Sequence, residues 1–174
     1  GLRDDSPVLL VLAGGFGMGP VGAVVAGLGR AAGPLQLVVV CGRNELLRQS
    51  VAALEHPHPT RVLGFTGEMP SLMAAADLIV TKPGGLTVSE SLALGRPLLV
   101  VNPLPGQEIA NSDFLLEHGA AAKSNRPEDL PAKVRALLSG GRLAAMAKAA
   151  RFLGKPRAAE AVCRLAFKKA GGKP

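Results

Sequence analysis

The chain has 174 residues, of which 48% are hydrophobic and 19% charged, so it carries enough apolar surface to fold around one core. It holds 20 Lys and Arg against 13 Asp and Glu, a net charge of +7 that favours phosphates, nucleic acid or an anionic membrane surface as partners. The absence of Trp and Tyr, with only 5 Phe, removes most of the aromatic platforms on which single-stranded nucleic acid stacks. No helix-turn-helix or aromatic RNA-binding motif is present, so we expect no nucleic-acid partner.

Cysteine usage and hydropathy predict the compartment. Cys41 and Cys163 lie far apart and lack the paired spacing of a zinc site or a redox motif, which fits a reducing cytosol. No apolar run has the length of a membrane span, and the first residues do not form a signal peptide. We therefore expect a cytoplasmic protein with no segment inserted in the membrane.

Short, continuously apolar runs alternate with stretches of helical character along most of the chain. The predicted strands span residues 7–13, 35–41, 61–65, 78–81, 98–102 and 120–123. The predicted helices span residues 20–31, 44–54, 69–76, 86–94, 109–117 and 127–138. Buried strands that alternate with helices indicate an α/β fold, a doubly wound, Rossmann-like parallel sheet of about six strands, with ligands beyond the carboxyl ends of the strands.

The alternation stops after residue 138, where two alanine-rich helical stretches, 142–152 and 157–170, follow one another without a strand. We predict extra C-terminal helices, about 142–170, added to a sheet unit of about 7–138 in a single domain of residues 1–174. The last stretch is amphipathic and basic. It either covers a core or docks on another domain or on anionic lipid.

The first candidate site is the glycine-rich loop of residues 14–20, after the first predicted strand. Glycines let the backbone approach an anion closely, and the free amides at the start of the next helix point toward it. A phosphate site and a tight turn without a ligand both fit this pattern. The loop is neither a Walker loop nor the dinucleotide fingerprint, and no acidic residue follows the second strand at Cys41-Gly42, so nicotinamide cofactors are disfavoured.

A second glycine-rich turn, in residues 81–90, joins the fourth predicted strand to a helix. Glu90 offers two acceptor oxygens, which suits the two hydroxyls of a ribose. Thr87 and Glu90 also have the spacing of a capping box, in which the glutamate turns back to its own helix. The local pattern leaves both interpretations open.

A third polar segment, residues 102–108, is predicted as a loop at the end of the fifth strand. Gln107 and Glu108 offer the donors and acceptors that sugar hydroxyls require, although an exposed loop stiffened by proline has the same composition.

The histidines lack the spacing of a metal site, and we predict that they are solvated: His56, His58 and His118. No Gly-x-Ser-x-Gly elbow supports a hydrolase.

Together these motifs resemble the C-terminal half of the monogalactosyldiacylglycerol synthase and processive diacylglycerol glucosyltransferase family, relatives of the peptidoglycan glycosyltransferase that makes lipid II. The similarity runs over residues 8–138 and is carried by segments 14–20, 39–44, 64–65, 81–90 and 105–108. It implies a GT-B glycosyltransferase in which this chain is the UDP-sugar donor-binding domain. The resemblance implies that the acceptor site and the catalytic base belong to an N-terminal acceptor domain, which we expect to be absent before Gly1, so the catalytic residues are left unknown.

The resemblance implies that one set of residues surrounds the donor from the uracil to the hexose. In that order they are Phe65 and Thr66 for the uracil, Glu90 for the ribose, Gly85, Leu86 and Thr87 with Gly15, Phe16 and Gly17 for the diphosphate, and Gln107 and Glu108 for the hexose. Phe16 departs from related loops, which often carry a small or charged residue there.

The implied reaction is transfer of a hexose with inversion to a lipid acceptor, most simply diacylglycerol, at the inner face of the cell membrane. Helix amides and basic residues would stabilise the leaving diphosphate, so the resemblance implies no metal and no cofactor. We expect the chain alone to bind donor without transferring it. Two alternatives stay open: a nucleotide-binding module of a split glycosyltransferase that needs a separate partner, and a relative that uses another lipid acceptor, as in N-acetylglucosaminyl transfer.

Overall fold

The computed structural model describes residues 2–17 and 19–171. Its strands are β1 Val8–Leu12, β2 Gln36–Val40, β3 Thr60–Leu63, β4 Leu78–Thr81, β5 Leu98–Val101 and β6 Ala121–Ser124. They form one parallel sheet in the order β3-β2-β1-β4-β5-β6. The predicted doubly wound sheet is confirmed.

Five helices connect these strands on both faces of the sheet: α1 Val21–Gly29, α2 Glu45–Ala52, α3 Met69–Ala75, α4 Gly85–Ala93 and α5 Gln107–Glu117. Three more follow β6: α6 Leu130–Leu138, α7 Arg142–Leu153 and α8 Ala158–Lys169. A short 3₁₀ turn, Pro127–Asp129, precedes α6. The predicted loop of residues 102–108 ends earlier than expected, because α5 already begins at Gln107.

The four central strands, β1, β2, β4 and β5, are almost wholly apolar because both of their faces are buried, whereas the edge strands β3 and β6 contain Arg61 and Lys123 and are only partly buried. Leu9 and Leu10 of β1 are adjacent in sequence and therefore point to opposite faces, and both side chains are 0% exposed. Leu9 packs in a core with residues of α1, α2, α6 and α7, whereas Leu10 packs with Met73 of α3. This two-sided burial explains the unbroken apolar runs in the sequence.

The strand order positions the two predicted glycine-rich turns beside each other. β1 and β4 are neighbours in register, with Leu12 opposite Thr81 at their carboxyl ends. From this pair, the chain moves to one side through β2 and β3 and to the other through β5 and β6. Such a reversal of strand order leaves a crevice at the carboxyl edge, where open α/β sheets bind their ligands.

The last helix does not cover a core. Every side chain of α8 is exposed, including Val162, Leu165 and Phe167. In contrast, α7 buries Met146 and Ala150 against the rest of the domain. The covering-helix alternative for this segment is therefore wrong, and docking elsewhere stays a prediction. Among the described residues, no helix combines the length and the apolar character that crossing a membrane requires.

The prediction of solvated histidines is correct for one residue and wrong for two. His118 is exposed at the C-cap of α5. His56 and His58 are half-buried, and Nε2 of His58 lies 3.0 Å from the carbonyl oxygen of Ala31. The connection that contains them packs back onto the end of α1, where Pro57 lies close to Gly29.

The environments of the two cysteines predict very different reactivity. Cys41 is fully buried, and this burial raises the pKa of its thiol, whereas Cys163 is exposed on α8. Because the thiolate is the reactive form, a raised pKa lowers the fraction of Cys41 that reacts at any given pH. We expect a disulfide reagent at pH 8 to modify one thiol rapidly in the native chain and both after denaturation. Rapid modification in a Cys163→Ser variant would contradict the buried position of Cys41.

Candidate functional site

Two cavities open at the carboxyl ends of β1 and β4. The first, here called the Glu90 cavity, has a volume of about 130 Å³ and is lined by Leu12, Gly14, Gly15, Val40, Gly42, Phe65, Thr66, Met69, Met73, Thr87 and Glu90. The second, the Lys82 cavity, has a volume of about 150 Å³ and is lined by Ala13, Gly14, Gly15, Phe16, Thr81, Lys82, Gly84, Thr87 and Glu108. Gly14, Gly15 and Thr87 line both, so the two cavities adjoin.

Glu90 lines the first cavity, and its side chain is exposed. The N-cap of α4 is Gly84, which makes no side-chain cap, and the helix begins at Gly85. Thr87 is therefore the third helical residue rather than the cap, so the capping-box interpretation of Thr87 and Glu90 is wrong. No described residue donates a hydrogen bond to the exposed Glu90 side chain. Both of its oxygens are available to a ligand.

The first turn of α4 provides donors between the two cavities. Val88 is the first residue of the helix whose amide reaches back, to the carbonyl oxygen of Gly84. The amides of Gly85, Leu86 and Thr87 therefore have no acceptor within the helix. The positive end of the helix dipole lies at the same place, and the first turn contains no acidic residue. This arrangement suits an anion.

Lys82 adds a full positive charge to the second cavity. It directly follows β4 and is half-buried there. Sequence reasoning placed Lys82 within the motif but gave it no role. The signal was the position of a basic residue between a strand end and two glycines, at the edge of the sheet where ligands bind.

The glycine-rich loop after β1 forms the opposite wall. Gly15 lines both cavities, and Phe16, 78% exposed, stands at the edge of the Lys82 cavity. Gly17 is buried behind the loop and lines neither cavity. Met18, in the same motif, lies outside the described residues.

The far side of the Glu90 cavity is apolar. Phe65, 66% exposed, forms its rim, and the guanidinium carbon of Arg43 lies 4.9 Å from the centroid of the ring. Met69 and Met73 line the same wall, while the Thr66 hydroxyl accepts a hydrogen bond from the Glu68 amide at 3.0 Å. Apolar walls with an aromatic edge suit a flat ring such as a nucleobase. Sequence reasoning named Phe65 and Thr66 but neither Arg43 nor the methionines.

Gln107 and Glu108 occupy the first turn of α5, beside the Lys82 cavity. Glu108 lines this cavity, and its carboxylate accepts a hydrogen bond of 2.7 Å from the amide of Leu104. Gln107 is exposed and lines neither cavity, although its Nε2 lies 3.6 Å from the point that a Cβ on Gly85 would occupy. The side chain therefore reaches the start of α4.

The structure thus brings most of the predicted site residues to one edge of the sheet. Seven of them line the two cavities: Gly15, Phe16, Phe65, Thr66, Thr87, Glu90 and Glu108. Four do not: Gly17, Gly85, Leu86 and Gln107. The ligand contacts of all eleven stay predictions.

Comparison with known proteins identifies the domain. A family model for the glycosyltransferase family 28 C-terminal domain matches residues 21–162, most of the chain. The chain belongs to this family. The predicted resemblance is confirmed.

Two curated relatives of the family 28 domain have names that contain diacylglycerol. A processive diacylglycerol β-glucosyltransferase of Bacillus pumilus is 39% identical over 140 residues, which cover 79% of this chain and 37% of that protein. A probable chloroplastic monogalactosyldiacylglycerol synthase 3 of rice is 39% identical over 134 residues, covering 72% and 26% respectively. The chain therefore spans about a third of the length of these relatives.

The family 28 domain also matches a solved structure throughout its length. MurG of Acinetobacter baumannii superposes with a TM-score of 0.78 at 28% identity, covering 95% of this chain and 51% of that one. This match supports the GT-B assignment of the fold.

A larger groove, of about 340 Å³, lies away from these two cavities in the family 28 domain. It runs along the face of the sheet near β3, between Leu2, Leu37 and Leu72, rather than at the carboxyl ends of β1 and β4. It lacks a glycine-rich turn, so its position does not suit a phosphate. The described residues contain no group of three or more His, Cys, Asp and Glu side chains placed to hold a metal ion.

Proposed function

We propose that this family 28 domain binds the UDP-sugar donor of an inverting glycosyltransferase that moves a hexose to a lipid acceptor. Diacylglycerol is the leading candidate for that acceptor. One observation carries the proposal. Glu90, whose carboxylate accepts no hydrogen bond from a described residue, lines an apolar cavity with the aromatic ring of Phe65 at its edge. This cavity adjoins the start of α4, where the first turn contains no acidic residue. A base, a ribose and a diphosphate require these surroundings in the same order.

In the proposed complex, the uracil occupies the Glu90 cavity against Phe65 and Thr66, and Glu90 accepts hydrogen bonds from the ribose hydroxyls. The diphosphate lies between Gly15 and the first-turn amides of α4. The hexose extends over the Lys82 cavity toward Gln107 and Glu108. This order follows the positions of the lining residues along the carboxyl edge.

The proposed chemistry places the developing negative charge on the departing diphosphate. The amides of Gly85, Leu86 and Thr87 and the ammonium group of Lys82 stabilise that charge as the bond to the anomeric carbon breaks. No metal ion is required in this scheme. The base that removes the proton from the acceptor hydroxyl belongs to the acceptor-binding part of the enzyme, so we propose that this chain alone does not complete the transfer.

We further propose that the protein works at the inner face of the cell membrane. Two observations support this: the acceptors in the relatives' names are membrane lipids, and the net charge of +7 favours an anionic surface. The similarity to MurG favours one second candidate, transfer of N-acetylglucosamine to another lipid acceptor. A split enzyme completed by a separate partner would have the same donor domain.

Calorimetric titration of the chain tests the donor assignment. We expect saturable binding of UDP and at least one of UDP-glucose, UDP-galactose and UDP-N-acetylglucosamine. ADP and GDP carry the same diphosphate and serve as matched controls. We expect them to bind at least about tenfold more weakly than UDP, because a purine differs from uracil in ring size and in the hydrogen-bonding groups on its edge. Equal binding of all three nucleoside diphosphates would contradict the base site. Glycolipid formation by the chain alone, from UDP-sugar and diacylglycerol vesicles, would overturn its role as a donor-binding part.

A further inference from the structure

The turn between β2 and α2 holds the glycine-rich loop in place through Asn44. Asn44 is the N-cap of α2, and its Oδ1 accepts a hydrogen bond of 2.9 Å from the amide of Leu47. The Nδ2 of the same side chain donates a hydrogen bond of 3.0 Å to the carbonyl oxygen of Gly17. One half-buried side chain therefore both caps a helix and joins it to the loop.

Close backbone packing supports this contact. The amide of Arg43 donates a hydrogen bond of 3.1 Å to the carbonyl oxygen of Gly15. A Cβ on Gly17 would lie 2.5 Å from the Cβ of Asn44 and 2.5 Å from the carbonyl oxygen of Cys41. The loop is thus in direct contact with the turn, which explains why Gly17 is buried without lining either cavity.

A loop so rich in glycine requires such support. Gly14 and Gly17 have φ angles of 75° and 63°, and Gly17 donates a hydrogen bond of 3.1 Å to the Gly14 carbonyl oxygen. Glycine loses more conformational freedom on folding than other residues, so a glycine-rich loop left free loses much of its binding energy to ordering.

We propose that Asn44 is a positioning residue that holds the loop of residues 14–17 in its donor-binding shape; this inference rests on the proposed function. Asn44 lines neither cavity, so it acts through the carbonyl of Gly17 rather than through the donor. Losing its Nδ2 contact should weaken UDP binding about three- to tenfold, the effect of one hydrogen bond.

Two substitutions separate this role from helix capping. Serine is as good an N-cap as asparagine, but its side chain is too short to reach the Gly17 carbonyl. We expect Asn44→Ser to retain the wild-type melting temperature and to bind UDP about three- to tenfold more weakly. Asn44→Ala, which also loses the cap, should show the same loss of affinity and a lower melting temperature. Wild-type affinity in Asn44→Ser would overturn the proposal.

A measurement without ligand keeps this inference distinct from the donor assignment. We expect the ¹⁵N heteronuclear NOE of the Gly14, Gly15 and Gly17 amides to fall in Asn44→Ser, and also in Asn44→Asp, whose carboxylate caps the helix but cannot donate to the carbonyl. If the wild-type chain fails to bind UDP, the proposed function is wrong. Unchanged NOE values in the variants overturn the positioning role of Asn44, whether or not the wild-type chain binds UDP.

Discussion

Replacing Gly42 with alanine is expected to destabilise the domain by about 3 kcal/mol or more and to remove UDP binding. Gly42 has a φ of 62°, a conformation that alanine adopts only with strain. A Cβ there would lie 2.5 Å from the Gly14 carbonyl oxygen and 2.7 Å from that of Gly15. These are backbone atoms of the glycine-rich loop, so relief requires the loop itself to move. Urea unfolding followed by circular dichroism, together with UDP titration, measures both effects.

Gly67→Ala is the matched control. Gly67 has no positive φ, and a Cβ there would meet no atom within 4 Å. We expect its stability to change by less than about 1 kcal/mol, with unchanged UDP affinity. If Gly42→Ala behaved like this control, the loop would not be packed against the β2–α2 turn.

The second large effect is expected from Glu90→Gln, which should weaken UDP binding about 10- to 100-fold and leave the melting temperature unchanged. Hydrogen bonds to a charged group contribute more than neutral ones, and the amide has a single acceptor oxygen for two ribose hydroxyls. Stability should not change because no described residue is hydrogen-bonded to the Glu90 carboxylate. Calorimetry and thermal unfolding of the same sample provide the two readouts.

Glu117→Gln makes the same chemical change elsewhere. Glu117 is exposed at the end of α5 and lines neither cavity, so its variant should bind UDP with wild-type affinity. 2′-Deoxy-UDP completes the test: the loss caused by Glu90→Gln should be smaller for this ligand, which lacks one of the two hydroxyls. Equal losses for both nucleotides would place Glu90 away from the ribose.

Sequence patterns predicted the sheet well because burial on both faces leaves an unmistakable apolar run. The prediction for β4, residues 78–81, matches the structure at both ends. The start of α5 was missed because Pro103, Pro105 and Gly106 indicate a loop, and nothing local shows where it ends. Gly106 has a φ of 93°, and this turn of the backbone lets the helix begin at Gln107.

The site was harder to predict because its parts come from distant segments. Spacing alone suggested a capping box for Thr87 and Glu90, since it does not reveal that α4 begins at Gly85. That Phe65 and Glu90 face one cavity depends on the strand order, which no local pattern gives. Only the family resemblance placed both residues beside the same donor. Asn44 received no role from the sequence, because its contact with Gly17 spans 27 residues and no local pattern reveals it.

The wholly exposed helix α8 has a consequence for how the domain unfolds. A 12-residue helix is only marginally stable in water without tertiary packing, and the ion pair between Arg164 and Glu160, at 2.6 Å, adds about 0.5 kcal/mol or less. Because α8 buries no side chain, its melting is uncoupled from that of the sheet. The chain therefore unfolds in two stages. The circular dichroism signal of α8 is lost gradually at low denaturant, and the sheet then unfolds in a single cooperative transition.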